Sequence, residues 1–173
     1  MTSFIHRTTR AFAGRRSRVR LTPAQWRELV GELGRRAGGV REAGAFLLAR
    51  AGDTSTTVIR VVYYDDVDPD CLTGGISMSA SGFSALWRIC SAERLRVTGD
   101  VHTHPGKGVR QSPIDSANPM VATRGHVAIV VPHLAGREIA SRECGVHVYR
   151  GDHEWDSSFG RDAARLLYVG RWA

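Results

Sequence analysis

Residues 95–104 alternate between apolar and polar side chains, and this alternation constrains the fold more than any other feature of the chain. Successive side chains of a β-strand point to opposite faces, so a period of two predicts a strand with one apolar and one polar face. The apolar face would carry Leu95, Val97, Gly99 and Val101, and the polar face would carry Arg96, Thr98, Asp100, His102 and His104. We therefore expect a half-buried strand from which two histidines leave on the same side.

Two segments show the helical spacing of apolar residues. The first begins at Thr22-Pro23, a typical cap and first helical residue, and ends at Gly38-Gly39. The second begins near Ser81. Their apolar faces contain Trp26, Leu29, Val30 and Leu33 in the first helix and Phe83, Leu86, Trp87 and Cys90 in the second. The pattern places both tryptophans in the core.

The remaining elements are shorter. Residues 43–50 and 56–64 predict a β-hairpin, followed by an acidic loop over 65–70 and a short strand over 74–79. A short helix starts at Ser112-Pro113 and stops at Asn118-Pro119. Further segments predict strands over 126–131 and 145–150 and a last helix over 158–169. Helices and strands mix without strict alternation, which indicates an α+β fold with a mixed sheet.

The net charge of +7 is concentrated at the start of the chain, because residues 1–20 hold six arginines and no acid. Residues 21–173 hold 18 basic and 17 acidic residues, so they are close to neutral. We expect a basic, flexible tail over 1–20 and one domain over 21–173. No apolar run approaches a membrane span, and the three cysteines indicate reduced thiols, so we expect a cytoplasmic protein without a membrane partner.

The end of the alternating strand carries a candidate metal site. His102 and His104 share a face, and Asp115 lies in the first turn of the next helix, three residues after Ser112. Two imidazoles and one carboxylate leave one coordination position open, which is the ligand count of a catalytic zinc. Two alternatives stay open at this point. The histidines could be ordinary surface side chains, and Ser112 with Asp115 also forms a capping-box pattern.

Glu42 is the candidate general base for a metal-bound water, because it leads directly into an apolar strand. A solvated carboxylate at the start of that strand is the alternative. Asp100 is predicted to lie on the same strand face as His102. It is either a hydrogen-bond partner behind the metal ligands or a carboxylate exposed at the surface. A nucleophilic pair of Cys90 or Cys144 with His147 is a further alternative.

The combination resembles the JAMM (JAB1/MPN+) metalloprotease family. The resemblance rests on Glu42 before a glycine-led aliphatic strand, the motif His102-Thr103-His104-Pro105, and Ser112-x-x-Asp115. Seven residues, 105–111, lie between His104 and Ser112. It covers roughly residues 22–150, with Ala49 in place of a common glycine. It implies a curved mixed sheet flanked by helices, one zinc held by His102, His104 and Asp115, Glu42 as base and Ser112 as donor to the oxyanion.

The resemblance also implies a function. Members of the family mostly cleave isopeptide bonds after the C-terminal glycine of ubiquitin or a ubiquitin-like protein. We therefore expect a bacterial deubiquitinase-like peptidase that removes or matures such a protein. Its partners would be activating and conjugating enzymes of the same operon, one that acts in antiphage defence. The alternatives are processing of a sulfur-carrier protein, an inactive scaffold, and nucleic-acid binding through the arginine tail.

The ligand set predicts about one zinc per purified chain. His102→Ala should lose most of this zinc, because two remaining ligands bind the ion far more weakly. Elemental analysis of both proteins checks the prediction. Near-full occupancy in the variant would remove His102 from the ligand set.

Overall fold

A six-stranded mixed sheet forms the centre of the structure, a computed structural model that describes residues 18–52, 54–73, 75–171 and 173. The strands are β1 (Val19–Leu21), β2 (Gly44–Arg50), β3 (Arg60–Tyr63), β4 (Leu95–Thr103), β5 (Val127–Val131), β6 (Gly145–Gly151), β7 (Glu154–Ser158) and β8 (Leu167–Val169). The helices are α1 (Pro23–Ala37), α2 (Tyr64–Val67), α3 (Ala80–Glu93), α4 (Pro113–Ala117) and α5 (Gly160–Leu166).

The sheet has the spatial order β3-β2-β4-β5-β6-β7. Only β4 and β5 run parallel within it, and the other neighbours are antiparallel. Helices α1, α3 and α5 pack against it. The predicted α+β architecture, a mixed sheet flanked by helices, is therefore confirmed.

Local sequence signals set the ends of the two long helices. Helix α1 begins at a capping box between Thr22 and Gln25 and ends at Gly38, whose φ of 57° is left-handed. Helix α3 begins after Ser79, whose hydroxyl accepts the N–H of Gly82. Both predicted helices are confirmed, but Trp87 is 45% exposed, so its predicted place in the core is wrong. It lies at the edge of the apolar face of α3, where no other element covers the indole fully.

The prediction that the polar face of β4 is exposed to solvent is also wrong. Asp100 is 2% exposed and His102 is 7% exposed, although both belong to the polar face of the alternating pattern. Strand β4 is an interior strand, and segments distant in sequence cover its second face. Met120 and Trp155, for example, line the same narrow cavity as Asp100 and His102. The alternation therefore marks two chemically different buried faces.

Strand pairing across long distances explains the other differences. The predicted helix over 158–169 shortens to α5, because β7 pairs with β6 and β8 pairs with β1. The predicted strand over 56–64 shortens to β3, and the acidic loop begins instead with the helical turn α2. Within the described part of 74–79, the structure has no strand.

The predicted tail falls mostly on residues 1–17, which lie outside the described residues. Val19 and Arg20 belong to β1, and Val19 is fully buried beside β8. No helix in the described part of the chain is both long and apolar enough to span a bilayer.

A close contact at Gly44 predicts a measurable effect on stability. A Cβ atom there would overlap the ring of Tyr64 and lie 2.8 Å from the carbonyl oxygen of Val101. Gly44→Ala should therefore lower the free energy of unfolding by about 1–3 kcal/mol. Gly31→Ala in α1 is the matched control, because its Cβ would meet nothing within 4 Å, and it should stabilise by about 0.5–1 kcal/mol. Urea unfolding measures both, and equal effects would contradict the overlap at Gly44.

Candidate metal centre

Three ligand atoms converge where β4 ends and α4 begins. The Nε2 atoms of His102 and His104 are 3.1 Å apart, and Asp115 Oδ2 lies 3.3 Å from His104 Nε2 and 3.7 Å from His102 Nε2. Ligands about 2.0–2.1 Å from a tetrahedral zinc are roughly 3.3–3.4 Å from one another. The three residues therefore fit a zinc ion with little movement. Within the described residues, they form the one His/Cys/Asp/Glu group that could hold a metal.

The sheet fixes both histidines. His102 is in register with Gly44 of β2 and Val130 of β5, so its backbone is held from both sides. The N–H of His104 donates to the carbonyl of Val131 at 2.8 Å. The two imidazoles thus meet because the β4 backbone is held on both sides and their side chains are two residues apart.

The capping box and the metal site coexist in the same residues. The hydroxyl of Ser112 accepts the N–H of Asp115 at 3.1 Å, and the N–H of Ser112 donates to Asp115 Oδ2 at 2.8 Å. Carboxylate oxygens offer more than one acceptor direction, so Oδ2 can accept from Ser112 and still face the histidines. The cap therefore orients the carboxylate that a metal would use.

The electrostatics of the cluster favour a cation. Burial alone would raise the pKa of Asp115, but hydrogen bonds from His102 and His104 hold that pKa well below its usual range. Burial also disfavours a charged His102, yet the hydrogen bond with Asp115 and the charges of Asp100, Asp115 and Glu42 raise its pKa overall. The carboxylates thus favour positive charge beside His102, and a bound metal would compete with the imidazole proton for this position.

Glu42 lies beside this cluster and not within it. The residue is half-buried, and it directly precedes Ala43, whose N–H donates to the hydroxyl of Thr103 at 3.0 Å. The N–H of Thr103 donates back to the carbonyl of Ala43 at 2.9 Å. Glu42 is therefore tied to the end of β4, close enough for its charge to act on His102. This position suits a group that acts on a ligand of the metal more than one that binds the metal itself.

Two features that the sequence did not reveal hold the loop between His104 and Ser112. His147 on β6 places Nε2 3.0 Å from the carbonyl of Val109, and its Nδ1 lies 2.8 Å from the hydroxyl of Ser157. A Cβ atom on Gly145 would overlap that same carbonyl. The loop therefore rests directly on β6, and no local spacing could have indicated this contact.

A left-handed turn holds the other end of the loop. His133, Leu134 and Ala135 have φ values of 58°, 50° and 54°, although none is glycine. The N–H of His133 donates to the carbonyl of Gly106 at 2.9 Å, and the N–H of Leu134 donates to the carbonyl of His104 at 2.8 Å. Such backbone costs energy and clusters near functional sites. Here it supplies two donors to the segment that contains a ligand.

Asp100 is a buried hydrogen-bonded carboxylate, so the surface alternative for this residue is wrong. Its Oδ2 accepts the hydroxyl of Tyr64 at 2.9 Å, and its Oδ1 lies 2.5 Å from His126 Nε2. Burial and the charge of Asp100 raise the pKa of Tyr64 well above its usual value. Both partners come from distant segments, so the sequence could not assign them.

The cysteine alternative is disfavoured by burial. Cys144 is fully buried, and desolvation raises the pKa of its thiol to about 12. Burial also raises the pKa of Cys90. A nucleophilic cysteine needs a thiolate, which these surroundings oppose.

Comparison with known proteins shows the fold and leaves the family open. The chain matches no model of a known protein family. A solution structure from Desulfitobacterium hafniense has 19% identity and a TM-score of 0.55, over 82% of this chain and 90% of that one. One from Salinibacter ruber has 18% identity and a TM-score of 0.56, over 81% and 88%. A JAB1/MPN domain protein from Archaeoglobus fulgidus has 13% identity and a TM-score of 0.46, over 82% and 95%.

The buried His147 predicts a pH effect on stability. Desolvation lowers its pKa below the ordinary 6.5, so the folded state keeps it neutral while the unfolded state takes up a proton below that pH. Its contribution to stability is therefore present above pH 6.5 and is lost as the pH falls through the lowered folded pKa. His147→Gln keeps a donor for Val109 but cannot titrate. The difference in unfolding free energy between wild type and His147→Gln should shrink from pH 7 to about pH 5. Urea unfolding at each pH tests this, and parallel curves would contradict it.

Proposed function

We propose that this protein is a zinc-dependent isopeptidase that cleaves after the C-terminal glycine of a ubiquitin-like protein. The observation that carries the proposal is the convergence of His102, His104 and Asp115 beside Glu42. Three protein ligands leave a coordination position for water or substrate, which distinguishes a catalytic zinc from a structural one. An inactive scaffold would have no need of this arrangement.

The residues around the cluster have complementary roles in hydrolysis. Bound zinc would polarise the scissile carbonyl and lower the pKa of a water molecule. Glu42 accepts the proton of the attacking water and passes it to the leaving amine. The oxygen of Ser112 accepts from Asp115, so its hydroxyl hydrogen remains able to donate to the carbonyl oxygen as negative charge develops.

The shape beside the cluster supports a substrate with a small residue at the cleaved bond. His102 and Asp115 line a cavity of only about 50 Å³, together with Ile76, Gln111 and Trp155. Such a space suits a glycine main chain better than a large side chain. Ile114, next to Asp115, is 73% exposed and offers an apolar contact to the substrate. These features agree with the substrate class that the sequence resemblance implies.

The reaction can be tested directly with a bacterial ubiquitin-like protein that ends in glycine, fused at its C-terminus to a reporter. We expect the zinc-loaded protein to cleave after the terminal glycine, and mass spectrometry of both products locates the cut. A fusion that ends in alanine in place of that glycine is the control, because the narrow cavity should slow its cleavage. Equal rates for both fusions would contradict the size argument, and no cleavage of either would contradict the proposed substrate.

Glu42→Gln separates catalysis from metal binding. The variant should keep its zinc and its fold, because the residue lies beside the ligand cluster and the change is nearly isosteric. It should lose cleavage by about 10²–10⁴-fold, because an amide cannot take up the proton of the water. Glu28→Gln on the exposed side of α1 is the matched control and should cleave at the wild-type rate. Near wild-type activity of Glu42→Gln would assign the base to another residue.

A further inference from the structure

A second cavity, of about 600 Å³, lies at the opposite end of β4 from the metal centre. The first residues of β4, the second half of α3 and the segment before β5 line it. Residues with hydrogen-bond donors in its lining include Arg18, Arg96, Thr98, Thr123 and Arg124. This volume falls within the range of small-molecule sites, about 300–1,000 Å³.

The charged side chains in the lining of this cavity are all basic. Three arginines line it, and none of the described residues that line it is Asp or Glu. The arginine-rich composition does not explain this, because a groove of about 700 Å³ beside α1 balances Arg27 and Arg137 with Glu138 and Glu143. The narrow cavity at the metal centre contains carboxylates and no arginine among its described residues. We call the cavity lined by Arg18, Arg96 and Arg124 the basic cavity.

Two of its guanidinium groups form no ion pair with the described carboxylates, and a hydrogen bond holds that of Arg96 in place. An N–H of Arg96 donates to the carbonyl of Ser55 at 2.7 Å, which orients the group and leaves its charge uncompensated. The guanidinium of Arg124 packs over Gly151, where even a Cβ atom would lie only 3.1 Å away. Among the described residues, neither arginine forms an ion pair with a carboxylate. Prepositioned guanidinium groups are typical of phosphate recognition.

Trp87 supplies a different kind of surface in the same cavity. Its indole is 45% exposed, and it lies beside the apolar side chains of Cys90, Leu95 and Val97. An exposed indole next to cationic donors is suited to stack a planar ring. The helical pattern of α3 predicted a core position for this residue, and the structure instead exposes nearly half of it at this cavity.

We propose that the basic cavity binds a small phosphorylated ligand with a planar ring, of the nucleotide class. The arginines and threonine hydroxyls would bind the phosphate, and Trp87 would stack on the ring. The site is separate from the metal centre, because the buried pair of His126 and Asp100 lies between them. His126 lines the basic cavity, and Asp100 lines the cavity at the metal centre. The proposal therefore does not depend on the isopeptidase activity.

Adenosine 5′-monophosphate is a suitable probe, and isothermal titration calorimetry on the full chain measures its binding. We expect one site per chain and about ten- to hundredfold weaker binding in Arg96→Ala and in Arg124→Ala, because each loses a charge-assisted contact. Trp87→Leu should weaken binding about tenfold, since stacking on the ring is lost. Ribose 5-phosphate should bind the wild type about tenfold more weakly than the nucleotide for the same reason.

Two control variants show whether the nucleotide binds in the basic cavity or elsewhere on the protein. Arg27→Ala removes one arginine charge from the groove beside α1, outside the basic cavity, and this variant should bind the nucleotide like wild type. His102→Ala, which weakens the metal site, should also leave binding unchanged. Thermal melting of each variant confirms that it is folded before the titration.

Several outcomes would overturn the proposal. One is the absence of saturable binding up to about 1 mM nucleotide, which corresponds to the weakest specific affinities. Another is binding that survives in both folded arginine variants, or that is lost equally in Arg27→Ala. Loss in His102→Ala would place the nucleotide at the metal centre, and equal affinity for ribose 5-phosphate would exclude stacking on Trp87.

Discussion

The backbone pairing of β4 with β2 and β5 is the interaction on which the rest of the site depends. It holds His102 from both sides, and it places His104 two residues further along the same face. Bringing two imidazoles and a carboxylate within 3.1–3.7 Å of one another in a low-dielectric site requires rigid supports. The sheet supplies this rigidity before any metal binds, so little conformational entropy remains to be lost on binding.

The third residue of the candidate metal centre, Asp115, comes from a short helix that could not hold its position alone. Helix α4 has five residues, and its Ser112–Asp115 cap both starts the helix and orients the carboxylate. The indole of Trp155 donates to the carbonyl of Ser116 at 3.0 Å, which ties α4 to β7. His147 and the left-handed turn at His133–Ala135 hold the preceding loop from β6 and from the end of β5. The strained backbone is tolerated because the surrounding hydrogen bonds determine it.

Strand β4 also separates two chemically opposite environments. One end carries the candidate metal centre with its carboxylate, and the other end opens into the basic cavity. The buried hydrogen bond between Asp100 and His126 lies between them and satisfies both polar groups away from water. This hydrogen-bonded pair separates the carboxylate-lined cavity from the arginine-lined cavity.

The sequence by itself determined the features that depend on residues close together in the chain. The period of two predicted β4, and the helical spacing and caps predicted α1 and α3. The strand-to-helix junction predicted that His102, His104 and Asp115 converge. Only the tertiary structure decided which side chains are buried and which segments meet. It buried Asp100 with Tyr64 and His126 and left Trp87 exposed. It also placed His147 against the loop and divided the expected last helix among β7, α5 and β8. These outcomes depend on contacts between segments distant in the chain, and the local pattern of a segment does not indicate which partner it meets.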